Sequence, residues 1–228
     1  MVIRLTSTKQ SVVENGIKVL VHGPAGAGKT VLCGTTGEPT VIISAEAGLL
    51  SLRGKDIPVI EVKNVEDVHE AYKFLTEAVE AAQFRWVCLD SISEIAEVCL
   101  AAEKKGAKDP RQAYGALAER MGELVRAFRD LPGRNVYFSC KQERTKDEQT
   151  GAMLYYPSLP GNTLKQGIGY FFDEVFCLRV ERDPDGNPYR TLQTARDFNY
   201  EAKDRSGALD MFEPPDLAHI HAKISKTL

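Results

Sequence analysis

Short apolar runs alternate with longer helical patterns along most of the chain. The apolar runs predict strands at 17–21, 40–44, 59–62, 84–90, 135–140, 172–180 and 189–196. Apolar positions spaced three and four apart predict helices at 65–82, 92–105, 109–130 and 215–225. Strands and helices that alternate in this way are typical of a mainly parallel sheet covered by helices. The sequence therefore predicts an α/β fold with a mainly parallel central sheet flanked by helices.

The length of 228 residues, without a linker-like stretch, predicts a single domain, 1–228, whose last helix occupies about 215–225. No stretch approaches the eighteen or so apolar residues that a membrane helix needs, and the first residues show no export signal. We therefore expect a cytoplasmic protein without membrane contact. The five cysteines form no CxxC pair and several lie in apolar runs, which is typical of reduced core residues.

A glycine-rich segment, Gly23–Thr30, follows the first predicted strand and reads GPAGAGKT. It fits the P-loop pattern GxxxxGK followed by Ser or Thr, in which backbone amides cradle the phosphates of a nucleotide. Lys29 can reach the β and γ phosphates, and the Thr30 hydroxyl can bind Mg²⁺. The predicted nucleotide-binding residues are Gly23, Pro24, Ala25, Gly26, Ala27, Gly28, Lys29, Thr30 and Val31.

Two carboxylates follow neighbouring predicted strands. Asp90 ends the strand 84–90 and is predicted to be a second Mg²⁺ ligand. The alternative is that Asp90 only caps the next helix, because Asp is a favoured N-cap residue. Glu46 lies two residues beyond the strand 40–44 and is a candidate for activating water. Its alternative is an exposed loop glutamate, which spacing alone would favour.

With these three motifs in order, the chain resembles the RecA-like recombinase ATPases. More narrowly, it resembles the short, core-only phage proteins that act in single-strand annealing, the Sak-type group. GPAGAGKT is similar to the P-loop of RecA, and Ser44-Ala45-Glu46 is similar to an Asp-Ala-Glu segment whose Glu is the catalytic base. Asp90-Ser91 matches the Asp-Ser pair that ends the Walker B strand of RecA, the strand that brings a carboxylate to Mg²⁺. The resemblance implies ATP and Mg²⁺ as cofactors, with Glu46 and Lys29 in catalysis.

The resemblance continues beyond residue 140. In RecA the strand that corresponds to the predicted strand 135–140 ends in a Gln that senses the γ-phosphate. Either Lys141 or Gln142 would take this role here. A mobile DNA-binding loop follows, which implies such a loop at about 141–165, closed by GNTLK at Gly161–Lys165. Cations in this loop could neutralise phosphates and tyrosines could stack on bases. The candidate DNA-binding residues are Lys141, Arg144, Lys146, Tyr155, Tyr156, Asn162 and Lys165.

Other observations weaken the case for DNA. Glu143, Asp147 and Glu148 nearly cancel the charge of the loop, and paired tyrosines often only pack. The net charge of −3 does not indicate a nucleic-acid-binding module. A nucleotide switch or assembly factor that acts on a protein partner therefore stays open as an alternative.

Near the C-terminus, Lys203 and Arg205 are separated by one residue, like two RecA lysines that reach the triphosphate of the neighbouring subunit. The resemblance implies that both act in catalysis across an interface. It further implies a homo-oligomer with nucleotide between subunits, single-stranded DNA and a single-strand DNA-binding protein as partners, and the cytoplasm of a host cell.

Overall fold

A computed structural model of the chain describes Ser7, residues 15–46 and residues 48–226. Within these residues, one sheet contains ten strands in the order β10-β8-β7-β1-β5-β4-β2-β3, with β6 paired to β5 and β9 paired to β7. The strands are β1 (Lys18–Gly23), β2 (Thr40–Ser44), β3 (Val59–Glu61), β4 (Trp86–Asp90), β5 (Asn135–Lys146), β6 (Met153–Ser158), β7 (Glu174–Arg182), β8 (Pro188–Gln193), β9 (Lys203–Asp204) and β10 (Phe212–Glu213). Both ends of the predicted domain 1–228 lie outside the described residues. The first residues, in which no export signal was expected, also lie outside them apart from Ser7.

The centre of the sheet is parallel. β3, β2, β4, β5, β1 and β7 pair in parallel, and antiparallel pairing is confined to β6, β8, β9 and β10. β1, β2 and β4 are buried at every position, as expected for strands that helices cover on both faces. The predicted α/β fold with a mainly parallel sheet is confirmed.

Helices cover the sheet unequally. They are α1 (Lys29–Leu32), α2 (Val65–Glu77), α3 (Ile92–Gly106), α4 (Pro110–Arg129), α5 (Asn162–Gly167) and α6 (Leu217–Ser225). α2 to α5 bury the larger core against one face, whereas α1 and α6 bury a smaller core against the other. Side chains alternate along a strand, so Leu20 enters the first core while Val19 and Val21 enter the second.

Side-chain caps place the helix starts close to their predicted positions. Asn64 forms a capping box with Asp67 before α2, Asp109 accepts from the amide of Arg111 before α4, and Asp216 accepts from the amide of His219 before α6. The helix predicted at 65–82 is interrupted: α2 ends at Glu77 and a 3-10 turn covers Val79–Gln83. None of the helices in the described residues is long and apolar enough to cross a bilayer.

The prediction of a loop over 141–165 was wrong in its secondary structure. β5 continues to Lys146 and pairs antiparallel with β6, so that the two strands form a hairpin. The turn is held by Asp147, whose Oδ1 accepts from the amides of Gln149 and Thr150. Thr145, Tyr155 and Tyr156 have high strand propensity, which favours the pairing despite the charged residues around them.

The five cysteines are buried free thiols, in agreement with their expected place in the core. Burial raises the pKa of Cys99 and Cys140 to about 11 and that of Cys177 to about 12. Neutral thiols of this kind behave as small apolar side chains. They are packing residues of the sheet and its helices.

Candidate nucleotide site

The glycine-rich segment lies at the carboxyl end of β1, in the middle of the sheet. Gly23 has no room for a side chain, because a Cβ there would lie 2.7 Å from the carbonyl oxygen of Leu178. Gly28 has a φ of 108°, in the left-handed region that favours glycine. The loop therefore needs glycine at both positions to take its shape.

The helix after the loop is shorter than in the usual strand–loop–helix arrangement. α1 contains four residues, and the amides of Cys33, Gly34 and Thr35 then close tight turns onto Thr30, Val31 and Leu32. A single helical turn carries only a small dipole, so the loop amides must provide most of the attraction for an anion.

Lys29 is folded over the loop. Its Nζ donates to the carbonyl oxygens of Gly23, at 2.8 Å, and Pro24, at 3.0 Å. Burial lowers the pKa of Lys29, and the nearby carboxylates of Glu46 and Asp90 oppose this shift. A phosphate is a stronger partner for an ammonium group than a carbonyl is, so this side chain is placed to bind one.

Asp90 lies under the loop and contacts Thr30 directly. Its Oδ2 accepts from the Thr30 hydroxyl at 2.7 Å, and its Oδ1 accepts from the Ser139 hydroxyl. Burial raises the pKa of Asp90. The N-cap of α3 is Ser91, whose Oγ accepts from the amide of Glu94 at 3.2 Å. The alternative that Asp90 only caps this helix is therefore contradicted.

The donor set suits Mg²⁺. Thr30 and Asp90 bring a hydroxyl and a carboxylate oxygen together, and Mg²⁺ prefers oxygen ligands and retains waters and substrate phosphates. Within the described part of the chain Asp90 forms no ion pair, so a cation at this point would offset the cost of burying its charge. The same part of the chain contains no group of three or more His, Cys, Asp and Glu that could hold a metal.

Glu46 is half-buried at the edge of the same cleft. Its Oε1 accepts from the Ser91 hydroxyl, and its backbone carbonyl accepts from the Ser44 hydroxyl at 2.6 Å. The amide of Ala45 donates to the carbonyl of Asp90, which holds this segment beside the end of β4. Glu46 is therefore fixed toward the site and is not a freely exposed loop residue.

These groups line a cleft of 740 Å³ over the P-loop, together with Lys141, Gln142 and Arg190. That volume is within the range for sites that bind small molecules and cofactors. Thr30 and Glu46 lie on its wall, and Asp90 lies buried behind Thr30. The cleft has the size and the polar groups to bind a nucleoside triphosphate.

Lys141 and Gln142 both lie at this cleft. Lys141 is beside Gly23 in the sheet, and its Nζ forms an ion pair with Glu94 at 2.6 Å, which raises the pKa of the lysine. Gln142 Nε2 contacts His22 Nδ1 at 3.2 Å and Cys177 Sγ at 3.1 Å. Burial lowers the pKa of His22 to about 4, so it is neutral and its Nδ1 can accept. The structure therefore places Lys141 with the nucleotide site, away from the tip of the hairpin.

The other candidate DNA-binding residues fall into an exposed group and a group that contacts other parts of the protein. Arg144 and Lys146 are exposed on β5, and Asn162 is exposed at the first position of α5. Tyr155 is stacked on Tyr200, with ring centroids 4.5 Å apart, and Lys165 forms an ion pair with Glu143 at 2.6 Å.

Tyr156 is half-buried, and its hydroxyl is 2.5 Å from that of Thr145. The tyrosines thus pack against the protein, as the alternative interpretation held. A cleft of 710 Å³ is lined by the hairpin, by α5 and by residues 196–203.

Lys203 and Arg205 do not join the nucleotide site of their own chain. Lys203 pairs with Val175, which pairs with Leu20, three residues or about 10 Å before the end of β1. Its Nζ donates to the carbonyls of Gly169, at 2.7 Å, and Phe172, and Arg205 forms an ion pair with Asp173 at 2.8 Å. Neither side chain lines the cleft over the P-loop.

The sequence patterns did not identify several residues that contact the P-loop or the two carboxylates. Tyr137 donates to the carbonyl of Lys29 at 2.8 Å, and Arg190 donates to the carbonyl of Ala27 at 2.7 Å. Ser139 and Ser91 orient the two carboxylates. A polar residue inside the apolar strand 135–140 was a signal for Ser139, whereas nothing in the pattern around Arg190 points to the P-loop.

Comparison with known proteins gives the following matches. A family model described as an AAA domain matches residues 15–206. Among solved structures, a KaiC-like protein of the hyperthermophile Pyrococcus horikoshii OT3 aligns with 17% identity and a TM-score of 0.43, over 78% of this chain and 77% of that one. The RadB recombinase aligns with 16% identity and a TM-score of 0.49, over 81% and 83%. No curated protein matches the sequence.

Proposed function

The chain belongs to the AAA domain family, and we propose that it binds ATP with Mg²⁺ and hydrolyses it. Its fold is that of the RecA-like P-loop ATPases. One observation carries the proposal: Asp90 and Ser91, at a single strand–helix junction, contact Thr30 and Glu46 respectively. The candidate metal ligands and the candidate base are thereby fixed relative to each other.

Each residue has a distinct part in the proposed reaction. The loop amides and Lys29 bind the β and γ phosphates, and Thr30 and Asp90 would hold Mg²⁺. The ion, when bound, neutralises charge on the phosphate oxygens. Glu46 orients a water and accepts its proton, and the Ser91 hydroxyl keeps the carboxylate aimed into the cleft.

We propose further that the hairpin 141–158 and the start of α5 bind single-stranded DNA, and that the protein promotes annealing or recombination. Arg144, Lys146 and Asn162 are exposed there, where they could contact a nucleic acid backbone. β5 runs without interruption from the P-loop edge into the hairpin, so Lys141 and Gln142 connect the two sites. This continuity is the support for DNA-responsive hydrolysis.

The proposal includes a homo-oligomer with nucleotide between subunits, in which Lys203 and Arg205 face the P-loop of a neighbour. It also includes a single-strand DNA-binding protein as a partner, in the DNA metabolism of a phage. Lys203 lies in β9 and Arg205 directly after it, away from their own P-loop, and this position supports a contact between subunits.

The first test is ATP hydrolysis with and without single-stranded DNA. We expect hydrolysis that depends on Mg²⁺ and increases with DNA, and we expect Lys29→Ala protein to lose both. The Lys29→Ala protein is the control for contaminating ATPases. Binding of ATP without any response to DNA would overturn the DNA part and favour a nucleotide switch that acts on a protein.

Replacement of both Arg144 and Lys146 by Ala should weaken DNA binding and its dependence on salt. Each contact with a single-stranded phosphate contributes about 0.7 to the slope of log K against log salt, so the loss of two should reduce the slope by about 1.4. Titrations of a fluorescent oligonucleotide at several salt concentrations measure this. Lys105→Ala with Lys108→Ala removes the same charge from exposed positions in the last turn of α3 and just after it, and should leave the slope unchanged. An unaltered slope in the first variant would place the DNA elsewhere.

A further inference from the structure

An arginine from the β7–β8 hairpin lies over the P-loop. Arg190, in β8, donates from Nε to the carbonyl oxygen of Ala27 at 2.7 Å. Its side chain also passes close to Gly28: a Cβ placed on that glycine would lie 3.5 Å from Arg190 Nε and 3.6 Å from its Cδ. Arg190 thus contacts the last two loop residues before Lys29.

The bond to Ala27 uses only one of the donors of the guanidinium. The group has five N–H donors in a planar fork, and four of them belong to the two terminal nitrogens. Within the described residues these two nitrogens have no protein hydrogen-bond partner, although Arg190 lines the 740 Å³ cleft together with Lys29 and Glu46. The guanidinium of Arg190, which is permanently charged, is therefore held in place through its Nε. Its two terminal nitrogens remain available to bind a ligand in the cleft.

The position of Arg190 indicates which phosphates it would meet. In a P-loop the backbone amides cradle the α and β phosphates, while the lysine extends to the β and γ phosphates. Arg190 lies over Ala27 and Gly28, the two loop residues that precede Lys29. We therefore expect its terminal nitrogens to meet the phosphates that the loop amides bind, which are the α and β phosphates.

We propose that Arg190 is a nucleotide-binding residue that clamps the α and β phosphates from above the P-loop of its own subunit. This inference rests on the proposed nucleotide function. Arginine suits the role because its fork binds phosphate oxygens in pairs and keeps its charge at every physiological pH. ADP and ATP share these phosphates, so Arg190 strengthens the binding of both, and its loss raises KM more than it lowers kcat.

Four variants separate the clamp from a purely structural contact. Arg190→Ala removes the whole group, and Arg190→Lys keeps only a point charge. Arg190→Gln keeps the donor to Ala27, because the Gln Nε2 and the Arg Nε lie the same number of bonds from Cα. Arg182→Ala is the matched control: Arg182 lies at the start of the same hairpin turn, is exposed and donates to the carbonyl of Gly186 at 2.6 Å.

The measurement is the Kd of fluorescent ADP and ATP, with kcat and KM for ATP. We expect Arg190→Ala and Arg190→Gln each to raise both Kd values by about 10- to 100-fold, the usual effect of losing hydrogen bonds to a charged group. Arg190→Lys should be intermediate, and Arg182→Ala should equal the parent. Unfolding temperatures without nucleotide confirm that the variants are folded.

Three results would overturn the inference. If Arg190→Gln binds ADP like the parent while Arg190→Ala does not, Arg190 only fastens the loop. If every variant binds like the parent, Arg190 does not touch the nucleotide. If kcat falls while both Kd values stay constant, Arg190 acts on the γ phosphate. A parent protein that binds ADP no better than Lys29→Ala protein would instead remove the nucleotide function itself.

Discussion

Replacement of Glu46 by Gln is expected to leave ATP binding intact and to slow hydrolysis by about 10²- to 10⁴-fold. The carboxylate can accept a proton from water, whereas the amide cannot. Gln keeps an oxygen that can accept from the Ser91 hydroxyl, so the local structure should be retained. Equilibrium binding of a fluorescent ATP analogue and steady-state hydrolysis, measured on the same preparation, separate the two effects.

The control for this variant is Glu61→Gln. Glu61 ends β3 beside Ser44, at the same edge of the sheet as Glu46, but its side chain is exposed and pairs with Lys63. Its replacement should leave hydrolysis unchanged. If Glu46→Gln protein turns over at the rate of the parent, Glu46 is a structural partner of Ser91 and the water must be activated by another group.

The P-loop and Asp90 could be predicted from short-range sequence patterns, whereas Glu46 was favoured over an exposed loop glutamate only by the resemblance of Ser44-Ala45-Glu46 to RecA. The loop is contiguous, and the two carboxylates follow apolar runs whose carboxyl ends must meet at one edge of a parallel sheet. Whether Asp90 is a metal ligand or a helix cap could be decided only from the positions of individual side-chain atoms. Ser91 is the cap, and that is visible only once the Ser91 Oγ is seen 3.2 Å from the amide of Glu94.

The hairpin shows why other parts could not be predicted. Residues 141–158 contain many charges, and their polarity hid the pairing of β5 with β6. The pairing gains from neighbours that are distant in the sequence, such as Asn199 and Tyr200, which bond to and stack on β6. Arg190 is a similar case, because it is separated from Ala27 by more than one hundred and sixty residues.

The two strands of the hairpin are linked to the end of β1 by a chain of partly buried hydrogen bonds. Gln142 contacts His22, whose Nε2 is 2.7 Å from the carbonyl oxygen of Glu201, and the amide of Glu201 donates to Tyr155 on β6. His22 is the last residue of β1 before the P-loop glycine. A ligand that shifts Gln142 would therefore disturb both the P-loop strand and the contact between β6 and residues 197–201.

Arg205→Ala is expected to reduce hydrolysis by about 10³-fold or more, the usual effect of losing an arginine that acts from a neighbouring subunit. The side chain of Arg205 is 59% exposed, so its loss should cost little stability. Lys203 is a poorer probe, because its ammonium group holds the carbonyls of Gly169 and Phe172 and its removal would also disturb the fold.

Mixing the Arg205→Ala and Lys29→Ala proteins distinguishes action between subunits from every other role. Neither protein alone has a complete site, but an intact P-loop of the first can meet an intact Arg205 of the second. If subunits mix at random in equal amounts, roughly a quarter of the interfaces should be complete, and hydrolysis should recover to about that fraction of the parent rate. ATP hydrolysis should recover only when the two proteins are mixed before their subunits assemble. A mixture as inactive as its components would show that Arg205 serves its own subunit through its ion pair with Asp173.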